Sequence, residues 1–193
     1  MKKLIAIGGL PATGKSTILK KFMKELEWVK QEPRKLVTSM YNKANDLYII
    51  GDYSDPKEKF PGLDRLSMAV QPEAIKFLQE TKSNILFEGD RLFTASFLES
   101  ASQMVDLSQL ELKIVFIKAD PKIVKERHAE RDDSQSKKFI KGRDTKLDNI
   151  RSSFYLMDYI HEFTHDNPFQ TVEIVNWLRL ELLVDDVIDL IGE

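Results

Sequence analysis

Apolar positions along this chain recur in two rhythms, and an element boundary is expected wherever one gives way to the other. Residues 3–7 (KLIAI) form a short apolar run that ends in glycines, whereas Ile18, Leu19, Phe22, Met23 and Leu26 recur at three- and four-residue spacing. The first pattern is that of a buried strand and the second that of a helix with one apolar face, so the chain opens strand, loop, helix. Beyond Pro33, KLVTSMY and DLYIIGDY are rich in β-branched and aromatic residues and flank NKAN, which predicts two strands joined by a turn. From Asp64, DRLSMAVQPEAIKFLQE sets Leu66, Val70, Ala74, Phe77 and Leu78 on one side of a helix, with Pro72 as a point of kinking or restarting.

NILFEGD (84–90) reads as a buried strand and residues 92–104 as a helix. LELKIVFIKAD (110–120) is a strong strand that hands over to a helix with Pro121 at its first position. A further helix is predicted over 145–161, where Leu147, Ile150, Phe154, Met157 and Ile160 or His161 share a face, and TVEIVN (171–176) reads as a fifth strand before a C-terminal helix. Short apolar strands alternating with helices predict an α/β fold: about five mostly parallel strands in a sheet covered by helices on both faces. With 193 residues and no internal repeat, the chain is expected to form one domain over 1–193.

The glycine-rich turn after the first strand carries chemistry. GLPATGKS matches G-x-x-x-x-G-K-[ST] at Gly9, Gly14, Lys15 and Ser16, in the strand-to-helix context that validates the pattern. Glycines let the chain curl so that the backbone N–H groups of Pro11-Ala12-Thr13-Gly14 and its neighbours, proline excepted, point at phosphate oxygens, and the helix N-terminus adds partial positive charge. Lys15 then reaches the β- and γ-phosphates, the Ser16 hydroxyl ligates Mg²⁺, and Thr17 adds a phosphate contact. ATP with Mg²⁺ is the expected cofactor pair. The loop alone does not separate kinases from GTPases and motors. Guanine specificity lacks its N-K-x-D signature, since NKAND has the acid one place too far and lies early in the chain, and 193 residues leave little room for a motor's appendage.

Phosphoryl transfer needs carboxylates beside this loop, and FEGDRL supplies Glu88, Asp90 and Arg91 at the end of a strand. One of Glu88 and Asp90 is read as a Mg²⁺ ligand, with Glu88 assigned to the metal, and the other as part of the acceptor site; a plain Asp90–Arg91 ion pair is the alternative. Asp52 and Tyr53 at a strand end, with Asp64-Arg65 at a helix start, are candidates for holding the acceptor, Asp64 also as a catalytic carboxylate, although Asp64 has the residue type of a simple helix cap. Arg127 and Arg131 stand four apart, on one helical face, and lead into KKFIKGRDTK. They are read as catalytic arginines of a lid over about 127–146, against the alternative of a helix laced with i,i+4 ion pairs.

Charge narrows the partners. The 29 Lys and Arg are balanced by 31 Asp and Glu, a net charge of −2, so no global field draws the protein to a polyanion and any such contact is local. Lys137, Lys138, Lys141, Arg143 and Lys146, against Asp144 alone, form that local basic segment, whereas the last stretch, ELLVDDVIDLIGE, is acidic. No cysteines and three scattered histidines (His128, His161, His165) argue against disulfides and transition-metal sites. No apolar run approaches the about 18 residues of a membrane span, and the run after Met1 is too short for a signal peptide, so a cytoplasmic location with no membrane partner is expected.

The phosphate loop, the Arg127/Arg131 pair and the strand layout together resemble the small P-loop kinases of nucleosides, nucleotides and metabolites. That resemblance covers essentially the whole chain and implies the P-loop NTPase form of the three-layer sandwich. More narrowly, GLDRLSMAVQPEA, FEGDRLF and DDSQSKKFIKGRDTK are similar to phage-type 5-hydroxymethyluracil DNA kinases. The narrower resemblance implies transfer of the ATP γ-phosphate to the hydroxymethyl group of a modified thymine in DNA, within the host cytoplasm, as a step of thymidine hypermodification. An extruded base then calls for an aromatic pocket wall such as Tyr53 or Phe93. The electrostatic balance departs from this picture, because duplex binding calls for a clear basic face. A small nucleoside, nucleotide or metabolite kinase is the first rival reading, and a nucleotide-dependent switch with no acceptor is the second.

Overall fold

The computed structural model describes residues 1–55, 62–130 and 136–183. The N-terminal apolar run becomes β1 (Lys2–Gly8), at the heart of a seven-stranded sheet. The other strands are β2 (Val29–Arg34), β3 (Val37–Asn42), β4 (Leu47–Ile50), β5 (Asn84–Glu88), β6 (Leu110–Lys118) and β7 (Ile160–Thr164), in the order β2-β3-β4-β5-β1-β6-β7. From β4 to β7 every neighbouring pair is parallel, and β3 and β2 extend the sheet antiparallel at one edge.

Side chains alternate across β1, so Leu4 and Ala6 serve one face while Ile5 and Ile7 serve the other, and all four are buried. On the Leu4 side pack α2 (Val70–Glu80), α3 (Ala95–Asp106) and α5 (Lys137–Arg151), through Val70, Phe77, Phe97, Leu98, Leu147 and Ile150. On the Ile5 side, α1 (Lys15–Met23) and α6 (Pro168–Leu182) contribute Ile18, Leu19, Phe22, Ile174 and Leu178. α4 (Pro121–Glu130) follows β6 and buries no residue. The three-layer α/β sandwich of the sequence analysis is what the chain forms.

Several element boundaries differ from expectation. TVEIVN lies within α6, because Thr171, Ile174, Val175, Leu178 and Leu182 are buried at helical spacing behind a capping box of Asn167 and Gln170 with Pro168 in the first turn. The last strand is instead β7, IHEFT, an edge strand whose residues are only partly buried. The helix expected over 145–161 starts earlier, capped by Ser136, whose side chain accepts from Phe139 N, and it ends at Arg151. Beyond it Phe154, Tyr155 and Met157 are exposed, so they mark no helical face. Residues 137–146 are therefore regular helix, with Gly142 inside it. β2 also escapes the expected set, since it is largely exposed and contains Pro33. Asp64 belongs to a 3-10 turn (Leu63–Arg65) and α2 begins only at Val70, so Asp64 does not cap it, and Pro72 sits in its first turn, where it breaks no bond.

Phe93 is no pocket wall. It is fully buried, its ring stands edge-on to Phe116 at 5.2 Å, and a Cβ on Gly8 would lie 2.1 Å from it.

Candidate active site

The loop after β1 takes its shape from positions that a side chain would block. Gly9 has φ +146°, and a Cβ there would lie 2.3 Å from the Ile117 carbonyl oxygen. Ala12 and Gly14 adopt φ of 59° and 96°, turning the chain so that α1 starts at Lys15. Gly14 supplies no side-chain cap and the first turn holds no acid, so the free N–H groups of α1 are left for an anion.

Lys15 Nζ donates to the carbonyls of Gly9 and Leu10, both at 2.8 Å, and Thr13 Oγ1 donates to Leu10 O at 2.9 Å. Burial lowers the Lys15 pKa, while Glu88, Asp90 and Asp64 pull it back up. The Ser16 hydroxyl donates to Glu88 Oε1 at 2.9 Å, and Thr17 is exposed at the surface. Parallel pairing explains that meeting: Ile7 of β1 lies opposite Glu88 of β5, so the strand ends deliver both groups to one place. Hydroxyl and carboxylate oxygens are donors that suit Mg²⁺. Among the described residues no group of three or more His, Cys, Asp or Glu side chains is placed to hold a metal ion.

Glu88 is buried, which raises its pKa against the opposing pull of Lys15 and the Ser16 bond. Asp64 keeps a solvent-exposed edge while protein crowds its other side; that burial, and then Asp90, raise its pKa against Arg91, Arg143 and Lys15. Among the described residues no cation forms a salt bridge with the Asp64 carboxylate. Asp90 does not pair with Arg91. It binds Arg143 at 2.7 Å, and Lys146 Nζ donates to its carbonyl. Arg91 instead donates to the Asp64 carbonyl at 2.8 Å and touches the Met68 sulfur.

Asp52 is buried, which pushes its pKa up, but bonds from Ser54 and Lys30 outweigh that and hold it at about 2. Its partners are Lys30 at 3.0 Å and Arg65 at 3.4 Å, so Arg65 pairs with Asp52 and not with its neighbour Asp64. Tyr53 lies over Gly62, where a Cβ would meet its hydroxyl at 2.4 Å, and burial followed by Glu88 raises its pKa. The aromatic ring thus lies on the side of the carboxylates.

Arg127 reaches the loop from α4, donating to Ala12 O at 3.3 Å. Arg131 lies outside the described residues, as does the side chain of Lys137. On α5, Lys138 and Lys141 are exposed, Phe139 is 41% exposed, and the Arg143 guanidinium stacks over its ring at 4.7 Å. Ser136, Lys138, Phe139, Gly142, Arg143 and Lys146 line an open groove of about 440 Å³. It adjoins the carboxylates because Arg143 and Lys146 both hold Asp90.

The roles of two site residues carry no clear sequence signal. Lys146 is one more lysine in a basic run until the fold sets it against Asp90. His165 follows the weakly patterned β7 and is buried behind the loop, with Nδ1 2.8 Å from Thr13 O and Nε2 2.7 Å from Thr171 Oγ1. Among the described residues no helix is long and apolar enough to cross a membrane.

Among solved structures, a sugar kinase from Janibacter sp. HTCC2649 aligns over 95% of this chain and 96% of its own at 9% identity, with a TM-score of 0.50. A shikimate kinase from Bacteroides thetaiotaomicron aligns over 94% and 98% at 16% identity, with a TM-score of 0.44. A gluconokinase from Sinorhizobium meliloti 1021 aligns over 93% and 97% at 12% identity, also with a TM-score of 0.44. At such identities the likeness is one of fold. No curated protein matches the sequence. A family model described as an AAA domain matches residues 5–152, from β1 and its phosphate loop through α5, and the chain belongs to that family.

Proposed function

We propose that the protein is an ATP- and Mg²⁺-dependent kinase that transfers the γ-phosphoryl group to the hydroxyl of an anionic, aromatic-ring acceptor. The observation that carries this reading is Asp64. Its carboxylate has a raised pKa and no paired cation among the described residues, yet it lies within electrostatic reach of Lys15. A group with those properties suits a general base, whose pKa is best placed closer to the working pH.

In the proposed reaction the acceptor oxygen attacks the γ-phosphorus, the bond to the β–γ bridging oxygen breaks, ADP leaves, and the hydroxyl proton passes to Asp64. Lys15 and the loop amides bear the charge that develops on the phosphoryl oxygens. Ser16 and Glu88 would hold Mg²⁺, which neutralises phosphate charge when bound. Asp90, committed to Arg143, orients the acceptor side, and Arg127 braces the loop.

The groove on α5 supports an acceptor that combines negative charge with a flat ring, since Lys138, Arg143 and Lys146 surround Phe139. The acceptor we favour is the 5-hydroxymethyl group of 5-hydroxymethyluracil in DNA, as the resemblance of three sequence strings implies. An extruded base would lie in the groove with Lys138 and Lys141 on the flanking backbone. A small nucleoside, nucleotide or metabolite kinase is the second reading, favoured by the net charge of −2. Labelled ATP offered with modified duplex DNA, the free nucleoside and its monophosphate separates them. Label in DNA supports the first reading; label confined to the small molecules sinks it, and nucleotide hydrolysis with no labelled acceptor of any kind sinks the kinase.

A further inference from the structure

A loop that aims its amides at a phosphate must aim its carbonyls the other way. The peptide unit is planar and trans, so the carbonyl of one residue and the N–H of the next point in opposite directions. Whatever holds Ala12 O and Thr13 O away from the phosphate site therefore aims the N–H groups of Thr13 and Gly14 into it. Both carbonyls are held by side chains from outside the loop: Ala12 O by Arg127 Nη1 at 3.3 Å and Thr13 O by His165 Nδ1 at 2.8 Å.

His165 is itself fixed at several points. Its backbone N–H donates to Lys118 O at 2.8 Å, and its Nε2 lies 2.7 Å from Thr171 Oγ1 in the first turns of α6. A carbonyl oxygen only accepts, so the proton of the neutral ring sits on Nδ1 and Nε2 accepts from the Thr171 hydroxyl. The imidazole occupies the space against residue 14, where a Cβ would lie 2.1 Å from Nδ1. Glycine at position 14 is thus required for this contact as well as for the turn. Burial lowers the His165 pKa against the opposing bond to Thr13, with Arg127 acting in the same direction as burial, which favours the neutral ring.

We propose that His165 is a positioning residue for the phosphate loop: as its Nδ1–H tautomer it holds the Thr13 carbonyl outward and thereby aims the Gly14 amide at the bound phosphate, with the Thr171 hydroxyl anchoring Nε2 on the far side of the ring. The proposal concerns nucleotide binding alone and stands whether or not the acceptor reading is correct. It gives α6 a direct connection to the phosphate site.

The test is ATP affinity of the purified full chain, measured by calorimetry without acceptor. His165→Leu keeps bulk and loses the donor, and is expected to weaken ATP binding about tenfold. His165→Asn retains an N–H near the Nδ1 position and is expected to stay within about threefold of the parent protein. Wild-type affinity in the leucine variant, or equal losses in both variants, overturns the proposal, because a merely structural residue would lower melting temperature and leave the affinity of the folded protein unmoved. If the variants do not fold, ¹⁵N NMR of the imidazole in the unaltered protein decides. A protonated Nδ1 and a bare Nε2 at neutral pH, with Nδ1 shifting on ADP addition, are expected; the opposite tautomer, or no response to ADP, overturns it.

Discussion

The Ser16 hydroxyl donates to Glu88 Oε1 at 2.9 Å, joining residues 72 positions apart at the ends of two adjacent parallel strands. Replacing Ser16 with Ala removes the oxygen proposed for Mg²⁺ and leaves the phosphate amides in place. Transfer is expected to fall about 10²–10³-fold, comparable to the loss of one charge-stabilising group. ATP affinity without Mg²⁺ should change little. A Mg²⁺ titration of activity and binding checks both.

Asp64→Asn separates catalysis from stability. A general base of this kind contributes about 10²–10⁴-fold, and a loss in that range is expected in kcat. Because the folded-state pKa is raised, the folded protein binds more protons than the unfolded chain between the ordinary and the raised value. The carboxyl thus lowers stability as pH rises through that window, and at neutral pH the amide variant should be at least as stable as the parent. In the parent, kcat/KM should decline as pH falls through the raised value, a limb that the variant lacks. A thermal melt alongside a pH–rate profile reads both effects.

Arg143 and Asp90 form a partly buried pair at 2.7 Å. A double-mutant cycle with Arg143→Ala and Asp90→Ala, followed by urea unfolding, is expected to return a coupling of about 1 kcal/mol. Arg143→Ala should also raise the KM for the acceptor more than that for ATP, since its guanidinium lines the groove.

Lys138→Ala with Lys141→Ala tests the exposed face of α5. Removing two lysine–phosphate ion pairs with duplex DNA reduces the slope of log affinity against log salt by about 1.8. DNA phosphorylation should fall at moderate salt while ATP affinity holds. Unchanged DNA phosphorylation would falsify the nucleic-acid role of this face.

Gly8→Ala places a methyl group 2.1 Å from the fully buried Phe93 ring. Overpacking of this kind costs about 1–3 kcal/mol. Phe93→Leu in the same chain should recover part of the loss, as denaturant midpoints will show.

Much of the fold was legible because its central elements carry strong patterns. β1, β5 and β6 are built around continuous apolar runs (LIAI, ILF and IVFI) that are buried on both faces, and α1 shows its apolar stripe directly. The elements that escaped are those whose environment is mixed. β7 lies at the sheet edge with partly exposed residues, so no run marks it. TVEIVN contains β-branched residues that favour strands, yet the capping box before it and the burial of one stripe make it a helix. The exposure of Phe154 and Tyr155 likewise removed the last turns of a helix that apolar spacing alone predicted.

The sequence by itself determined the donor end of the site. The phosphate loop is a contiguous motif whose glycines, lysine and serine act through local backbone geometry, so eight adjacent residues suffice to specify it. Tertiary structure alone decided the partners: Asp90 with Arg143 and Lys146, Arg65 with Asp52, and His165 with Thr13. None of these pairings joins neighbours in sequence. Their chemistry depends on which strand ends meet and how deeply each group is buried, and neither quantity exists until the sheet has formed.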